Sequence, residues 1–345
     1  MNNSSVEVII IKYPKAATIV ASICSIVFCV VGVIGNSVTI AALCRCPKLR
    51  SHATTAFVLS LCISDLLFCS VNLPLTAIRY INEEWTLGEP LCKLFPVLFY
   101  GNVAVSLLNM VEITLSRYVL ISYNKYYEQM YSKKSIWIQL IAAWAIAILI
   151  MLPPLLEIWG TLGLNPSTFS CTILDKDGTS PKKVLFMIGF VLPCVVIIIS
   201  YSCIYWSVRK SRMNMKMHHP TSKKDRLNQR REKDDSRLTK LMLTIFICFL
   251  LCFLPLMMMN VFDDDVTYPS LHVVASILAW ASSVINPFIY AASNRQYRTA
   301  YSKLFRIIKT SVAVTDSKQI SGSVRSKHLE NNGQSVTYKP NVTMT

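Results

Sequence analysis

The chain has 345 residues, of which 53% are hydrophobic and 16% charged. That is too little charge for an ordinary soluble protein of this size. The net charge of +16 might suggest a nucleic-acid binder, but the cations gather in alternate loops and in the tail, which argues against nucleic acid and for a membrane protein.

The apolar residues collect in runs of about 20 or more, the length a helix needs to cross a bilayer. Seven runs are expected as spans: Ala16–Leu43, Ala53–Ile78, Lys93–Leu120, Ile136–Ile158, Val184–Trp206, Leu241–Val261 and Leu271–Ala292. Arg45, Lys48 and Arg50 follow the first span, Lys125, Lys133 and Lys134 the third, and a dense block from Arg209 to Lys240 the fifth. The positive-inside rule then puts these loops and the C-terminus in the cytoplasm and the N-terminus outside. The division that follows is an outer N-terminus (1–15), a seven-helix bundle (16–293), an amphipathic helix on the inner leaflet (294–309) and a disordered cytoplasmic tail (310–345).

Met1–Tyr13 is short and begins polar, so the first span is expected to direct its own insertion. Asn2 and Asn3 each open a glycosylation sequon on the outer side. In the first span, Gly32 and Gly35 allow close packing beside Asn36, an amide that needs a partner in the bundle. The second span buries Asp65 near the midplane, and an ionisable residue there is a functional candidate. Pro74 above it should kink the helix.

The third span reads CKLFPVLFYGNVAVSLLNMVEITLSRY, from Cys92 to Tyr118. At about 1.5 Å per residue it carries Cys92 and Arg117 roughly 38 Å apart, close to the full bilayer thickness of about 40–45 Å. Its polar residues (Asn102, Ser106, Asn109, Glu112, Thr114) would be costly in lipid, so other helices should surround it. Most of the twelve cysteines fall inside spans, and Cys44 and Cys46 fall on the reducing side. Cys92 and Cys171 are the pair left outside, and are expected to form a disulfide.

The fourth span holds Trp144, a packing or lipid-facing residue, and should stop at Pro153-Pro154. The loop after it, with Cys171, should lid the bundle. The fifth span carries Pro193 and Tyr201, the sixth has Pro255 as a hinge, and the seventh is broken by Pro287, where Asn286 can satisfy freed backbone groups. Beyond it, Tyr297, Tyr301, Leu304 and Ile308 share one helical face, with Arg295, Arg298, Lys303, Arg306 and Lys309 elsewhere, as in a helix lying on anionic membrane lipids.

These residues resemble the rhodopsin-like G-protein-coupled receptors over roughly Ala16 to Lys309. The pieces recur in order: Gly35-Asn36, Leu61 with Asp65, Cys92 with Cys171, Ser116-Arg117-Tyr118, Trp144, Pro193 with Tyr201, Cys252-Phe253-Leu254-Pro255, and Asn286-Pro287-Phe288-Ile289-Tyr290. Within the family, Ser116-Arg117-Tyr118 and the run NPFIYAASNRQYR look like the moody and trapped-in-endoderm group, and like the related fatty-acid and melatonin receptors.

The resemblance implies a multi-pass receptor of the plasma membrane. It would activate heterotrimeric G proteins and be met by arrestin and receptor kinases. It implies a polar cluster of Asp65, Ser106, Ser283 and Asn286 that could hold an allosteric sodium ion. Leu107, Pro193 and Phe249 would repack, the sixth helix would swing out about Pro255, and Arg117 would be released, with Tyr201 and Tyr290 turning in.

Three positions depart from the family pattern. Ser116 stands where an acid usually pairs with the arginine, so Asp235 is the candidate substitute lock and raised basal signalling is expected. Phe253 replaces a usual tryptophan. Ser282 stands where the sodium cluster often has Asn. The ligand pocket is expected at Phe99, Tyr100, Val103, Phe253 and Trp280, apolar and aromatic, suited to a lipid or a small apolar molecule with an acidic end. Arg79 and Lys93 lie near its mouth, where interfacial anchoring is the ordinary role of a long cation. A transporter or channel is the alternative, but neither paired broken helices nor an internal repeat is visible. No catalytic motif points to an enzyme.

Overall fold

The computed structural model describes residues 13–50, 53–216, 223–263, 266–307 and 310, with side chains at all of these except 48, 50, 211–216 and 223–235. Among the described residues, seven helices are long and apolar enough to cross a membrane. They are α1 (Lys15–Cys44), α2 (Ala53–Asn82), α3 (Glu89–Ser122), α4 (Lys133–Ile150), α5 (Lys182–Lys210), α6 (Ser236–Phe262) and α7 (Pro269–Ser293). A further helix, α8, covers residues 295–307. The sequons at Asn2 and Asn3 and the tail beyond 310 lie outside the described residues.

The bundle reverses the pattern of a soluble core. On α1, Ile23, Val30 and Ile34 are exposed, whereas Ser25, Asn36 and Thr39 are wholly buried. Apolar side chains face outward because lipid costs them nothing, and hydroxyls turn inward to bond their own helix, as Thr39 does to Gly35 O at 2.8 Å. A Cβ on Gly32 would collide with Cys69 Sγ of α2, and one on Gly35 would lie 3.2 Å from the Pro287 ring of α7. Glycine at these two sites lets α1 reach both neighbours.

Two helices carry a wide, π-helical turn where a proline follows. In α2 it spans Phe68–Asn72, and Leu73 N–H reaches back five residues to Phe68 O, just before Pro74. In α5 it spans Met187–Val191, and Leu192 N–H reaches Met187 O, just before Pro193. Proline has no N–H and crowds the carbonyl four residues back, and the wider turn relieves both.

α4 stops at Ile150, short of the expected Ile158, and Leu152–Leu155 form a separate helical turn. Pro153 and Pro154 offer no N–H to the carbonyls of Leu149 and Ile150, so the regular ladder ends at Ile150, before the proline pair and not at it. The loop that follows contains an unanticipated hairpin, β1 (Thr161–Asn165) against β2 (Ser170–Leu174), with Leu164 opposite Cys171. Cys92 and Cys171 form the expected disulfide, which ties β2 to the first turn of α3.

α8 buries Tyr297, Ala300 and Leu304 and leaves Arg295, Arg298, Lys303 and Arg306 exposed. Tyr301 OH lies 3.0 Å from Thr39 Oγ1, tying α8 to α1. Ile308 and Lys309, expected on the same helix, lie outside the described residues.

Candidate functional site

Three layers of polar groups run along the inside of the bundle, between the end marked by the disulfide and the end marked by Arg117. The middle layer joins α1, α2, α3 and α7. Asn286 Nδ2 donates to Asp65 Oδ2 at 2.8 Å, and Ser283 also hydrogen-bonds the Asp65 carboxyl. Asn36 finds its partner at Ser283 O, 2.9 Å away. Asp65, Ser283 and Asn286 therefore come together as expected. Ser106 does not bond Asp65: its hydroxyl meets Ser64 Oγ at 3.1 Å, and Ser64 donates to Asn102 Oδ1 at 2.6 Å. Ser282 donates to Ala279 O of its own helix at 2.7 Å. Of the expected sodium cluster, Asp65, Ser283 and Asn286 lie together, while Ser106 is turned to Ser64.

At the Arg117 end, Arg117 is wholly buried, an expensive place for a guanidinium unless it is hydrogen-bonded. Its Nη2 donates to Thr54 Oγ1 of α2 at 2.7 Å. Thr54 Oγ1 lies 3.3 Å from Ser116 Oγ, which itself donates to Ile113 O at 2.8 Å. Neutral hydroxyls thus stand where an acid would pair with the arginine. Asp235 lies in the helical run Lys223–Phe262 that leads into α6, and its side chain is outside the described ones. Tyr201 is buried on α5, and Tyr118 is half-buried, edge-on to Tyr123. Tyr290 is wholly buried and stacks on Tyr297 of α8, ring centroids 4.9 Å apart. Pro287 is also buried, one turn before it.

Between these layers, Leu107, Pro193 and Phe249 are all buried. Phe249 stacks on Phe190 and lies 4.6 Å from Phe253, centroid to centroid.

At the disulfide end, a cavity of about 90 Å³ is lined by Phe99, Tyr100 and Trp280. A second, of about 70 Å³, is lined by Tyr100 and Val103. Phe253 lines neither and packs beneath them on Phe249. The hairpin tip closes the first cavity. Phe169, in left-handed backbone at φ 39°, sets its ring 4.9 Å from Tyr13 and 5.5 Å from Tyr80.

Arg79 departs from the anchoring role. It is 7% exposed, lines the first cavity, and donates from Nη1 to Thr168 O at 3.2 Å. Lys93 does serve at the surface, 3.2 Å from Glu89 and 3.5 Å from Glu157. On the far rim, Asp263 accepts from Thr267 N at 2.8 Å and Tyr268 N at 3.3 Å, and lies 3.1 Å from His272 Nε2. Burial alone would raise the Asp263 carboxyl, but these bonds outweigh it and hold it below the usual carboxylate range.

The family model for seven-transmembrane receptors of the rhodopsin family matches residues 35–290. The chain belongs to that family. Protein trapped in endoderm-1 of Drosophila melanogaster is 55% identical over 313 residues, covering 86% of this chain and 80% of that protein. The G-protein coupled receptor moody of the same fly is 35% identical over 337 residues, covering 81% of this chain but only 50% of moody. Among solved structures, squid rhodopsin superposes with a TM-score of 0.76 at 25% identity, over 86% of this chain and 87% of that one. Membership makes this a G-protein-coupled receptor and sets aside the transporter and channel reading.

Thr54 and the hairpin are what sequence reading missed, and Arg79 is placed by sequence at the pocket's mouth but in an anchoring role. A helical threonine carries no signal of its own. The only sign of Arg79 is a cation one turn from the end of an otherwise apolar span.

Proposed function

We propose that this receptor stands in the plasma membrane with its disulfide end outside and its Arg117 end in the cytoplasm. It binds an extracellular or bilayer-borne ligand under the hairpin and drives nucleotide exchange on a heterotrimeric G protein. The buried Arg117, hydrogen-bonded to Thr54 and with Ser116 beside it where an acid is usual, is the observation that carries this reading. Ligand entry repacks Leu107, Pro193 and Phe249, α6 tilts outward about Pro255, and Arg117 leaves Thr54 for the G protein. Tyr201 and Tyr290 turn into the space α6 vacates, Tyr290 leaving Tyr297 to do so. Arrestin and receptor kinases meet the same open face.

Ser116 hydrogen-bonds a guanidinium less firmly than an acid at that position would, so basal exchange is raised over that of a receptor with an acid at position 116. If a sodium ion binds, Asp65 and Ser283 would hold it, and it would supply positive charge beside a buried carboxylate. The ligand is a lipid or a small apolar molecule, because apolar side chains make up most of the wall of the second cavity.

The test is guanine-nucleotide exchange on purified G proteins by the receptor in reconstituted vesicles, with ion and solute flux followed in the same vesicles. Exchange above the empty-vesicle background without flux is the expected result. Flux without exchange on any G-protein class would overturn the proposal.

A further inference from the structure

Building on the receptor reading, we infer that the disulfide-end cavity seats the anionic headgroup of a single-chain amphiphile on Arg79, with its chain running past Tyr100 into the neighbouring apolar cavity. A guanidinium has five N–H donors in a fixed fork that matches a carboxylate or a phosphate. Here Nη1 reaches Thr168 O, while Nε is buried without a hydrogen-bond partner among the described residues. No described carboxylate pairs with Arg79 either. The rings of Tyr80, at 4.3 Å, and Phe169, at 5.9 Å, offset part of the charge but accept no in-plane hydrogen bond. Asp263 lines the same cavity, yet its oxygens are taken up by Thr267, Tyr268 and His272. A buried cation left in this state, facing a cavity, is a seat for an anion from outside the chain.

The cavity sizes set the shape of that anion. At about 90 Å³ the first chamber admits a headgroup but not a whole ligand, for which pockets of about 300–1,000 Å³ are usual. The second chamber, of about 70 Å³, is walled by Met151, Ile173, Leu185, Phe186, Phe190 and Met257 and suits a narrow alkyl chain. Tyr100, Lys182 and Asn260 border both chambers. Tyr100 is the partition, its hydroxyl 3.2 Å from Thr172 Oγ1 on the hairpin. Lys182 adds a second cation at the junction.

The probes are a free fatty acid, a lysophosphatidate and a primary alcohol of one chain length, titrated onto the full chain in zwitterionic nanodiscs. At least one anion should bind about tenfold or more tighter than the alcohol. The tighter of the two identifies the headgroup as carboxylate or phosphate. Arg79→Gln should level all three, and Arg79→Lys should keep part of the preference. Gly189 borders the apolar chamber, and a Cβ there meets nothing within 4 Å, so Gly189→Leu should fold. It should weaken the long-chain anion about tenfold and spare a short-chain one.

The inference is overturned if neither anion binds, if the alcohol binds as well as both, or if folded Arg79→Gln keeps the preference. Should Arg79→Gln not fold, the wild-type ranking and Gly189→Leu decide. Basal nucleotide exchange by the wild-type protein tests the receptor reading separately. Exchange present with no anion preference would sink the headgroup seat alone.

Discussion

The two ends of the bundle solve opposite problems with the same residue type. At the disulfide end, Arg79 is buried beside open volume, with a hydrogen bond to one carbonyl and a donor to spare. At the other end, Arg117 is buried more deeply still and is closed over by Thr54 and Ser116. One guanidinium waits for something to arrive, and the other is kept from leaving. Receiving a ligand requires unmet donors and room. Transmitting requires a contact that holds at rest yet breaks for a modest free energy, and neutral hydroxyls supply that better than a buried carboxylate would.

Several changes would break or sharpen this contrast. Arg117→Ala should have the largest effect on signalling, lowering ligand-driven exchange about 100-fold, the scale of a charge-assisted contact of about 3 kcal/mol. Correctly delivered protein that still couples would erase the distinction between the ends. Cys92→Ser frees a loop closed across a sequence separation of 79 and should cost about 4 kcal/mol, read as a lower thermal-unfolding midpoint. It should disorder the hairpin end while leaving basal exchange at the other.

Overpacking belongs to neither end. Gly32→Leu forces α1 off α2 at Cys69 and should cost about 1–3 kcal/mol without changing ligand rank order. At the Arg117 end, Ser116→Asp and Thr54→Val should move basal exchange in opposite directions, down and up, each by a factor of about five for about 1 kcal/mol. Equal shifts in the same direction would show that the hydroxyls are not the latch.

The smallest effect is at Asp263. Its carboxyl is held below its ordinary value, so its stabilising contribution is fully present above the unfolded-state pKa and is lost as pH falls through the lower folded one. Unfolding of the wild-type protein followed against pH should therefore show an acid limb that Asp263→Asn removes, with little difference between the two at neutral pH.

Much of this was legible before any coordinates. Runs of apolar residues locate all seven spans, and the Asp65–Asn286 and Cys92–Cys171 contacts are expected from sequence, as is a bundle partner for Asn36 without its identity. These are features for which composition and compartment suffice. Arg79 was misread because a cation near a helix end can snorkel outward or turn inward, and the choice depends on a carbonyl 89 residues away on a hairpin tip. Thr54 was invisible for a similar reason, since its role is defined by side chains 62 and 63 residues distant. Phe253 was placed in the pocket by analogy with the family, but with Phe249 against it the ring packs below both cavities. The α4 boundary falls earlier because a proline leaves the carbonyl four residues before it without an N–H partner.

The wide turn in α2 has a consequence for how the pocket's specificity can change. One extra residue in a turn rotates everything beyond it by about 100° relative to an unbroken helix. Arg79 lies on the far side of Phe68–Asn72 from Asp65, so the azimuth of its side chain depends on that insertion. Deleting one residue between 68 and 72 would swing the guanidinium toward the lipid and bring a neighbour to the cavity wall, while every pocket residue kept its identity. Among relatives, ligand preference could thus be reprogrammed by the pitch of a single helical turn, and alignments that ignore such an offset would compare the wrong side chains.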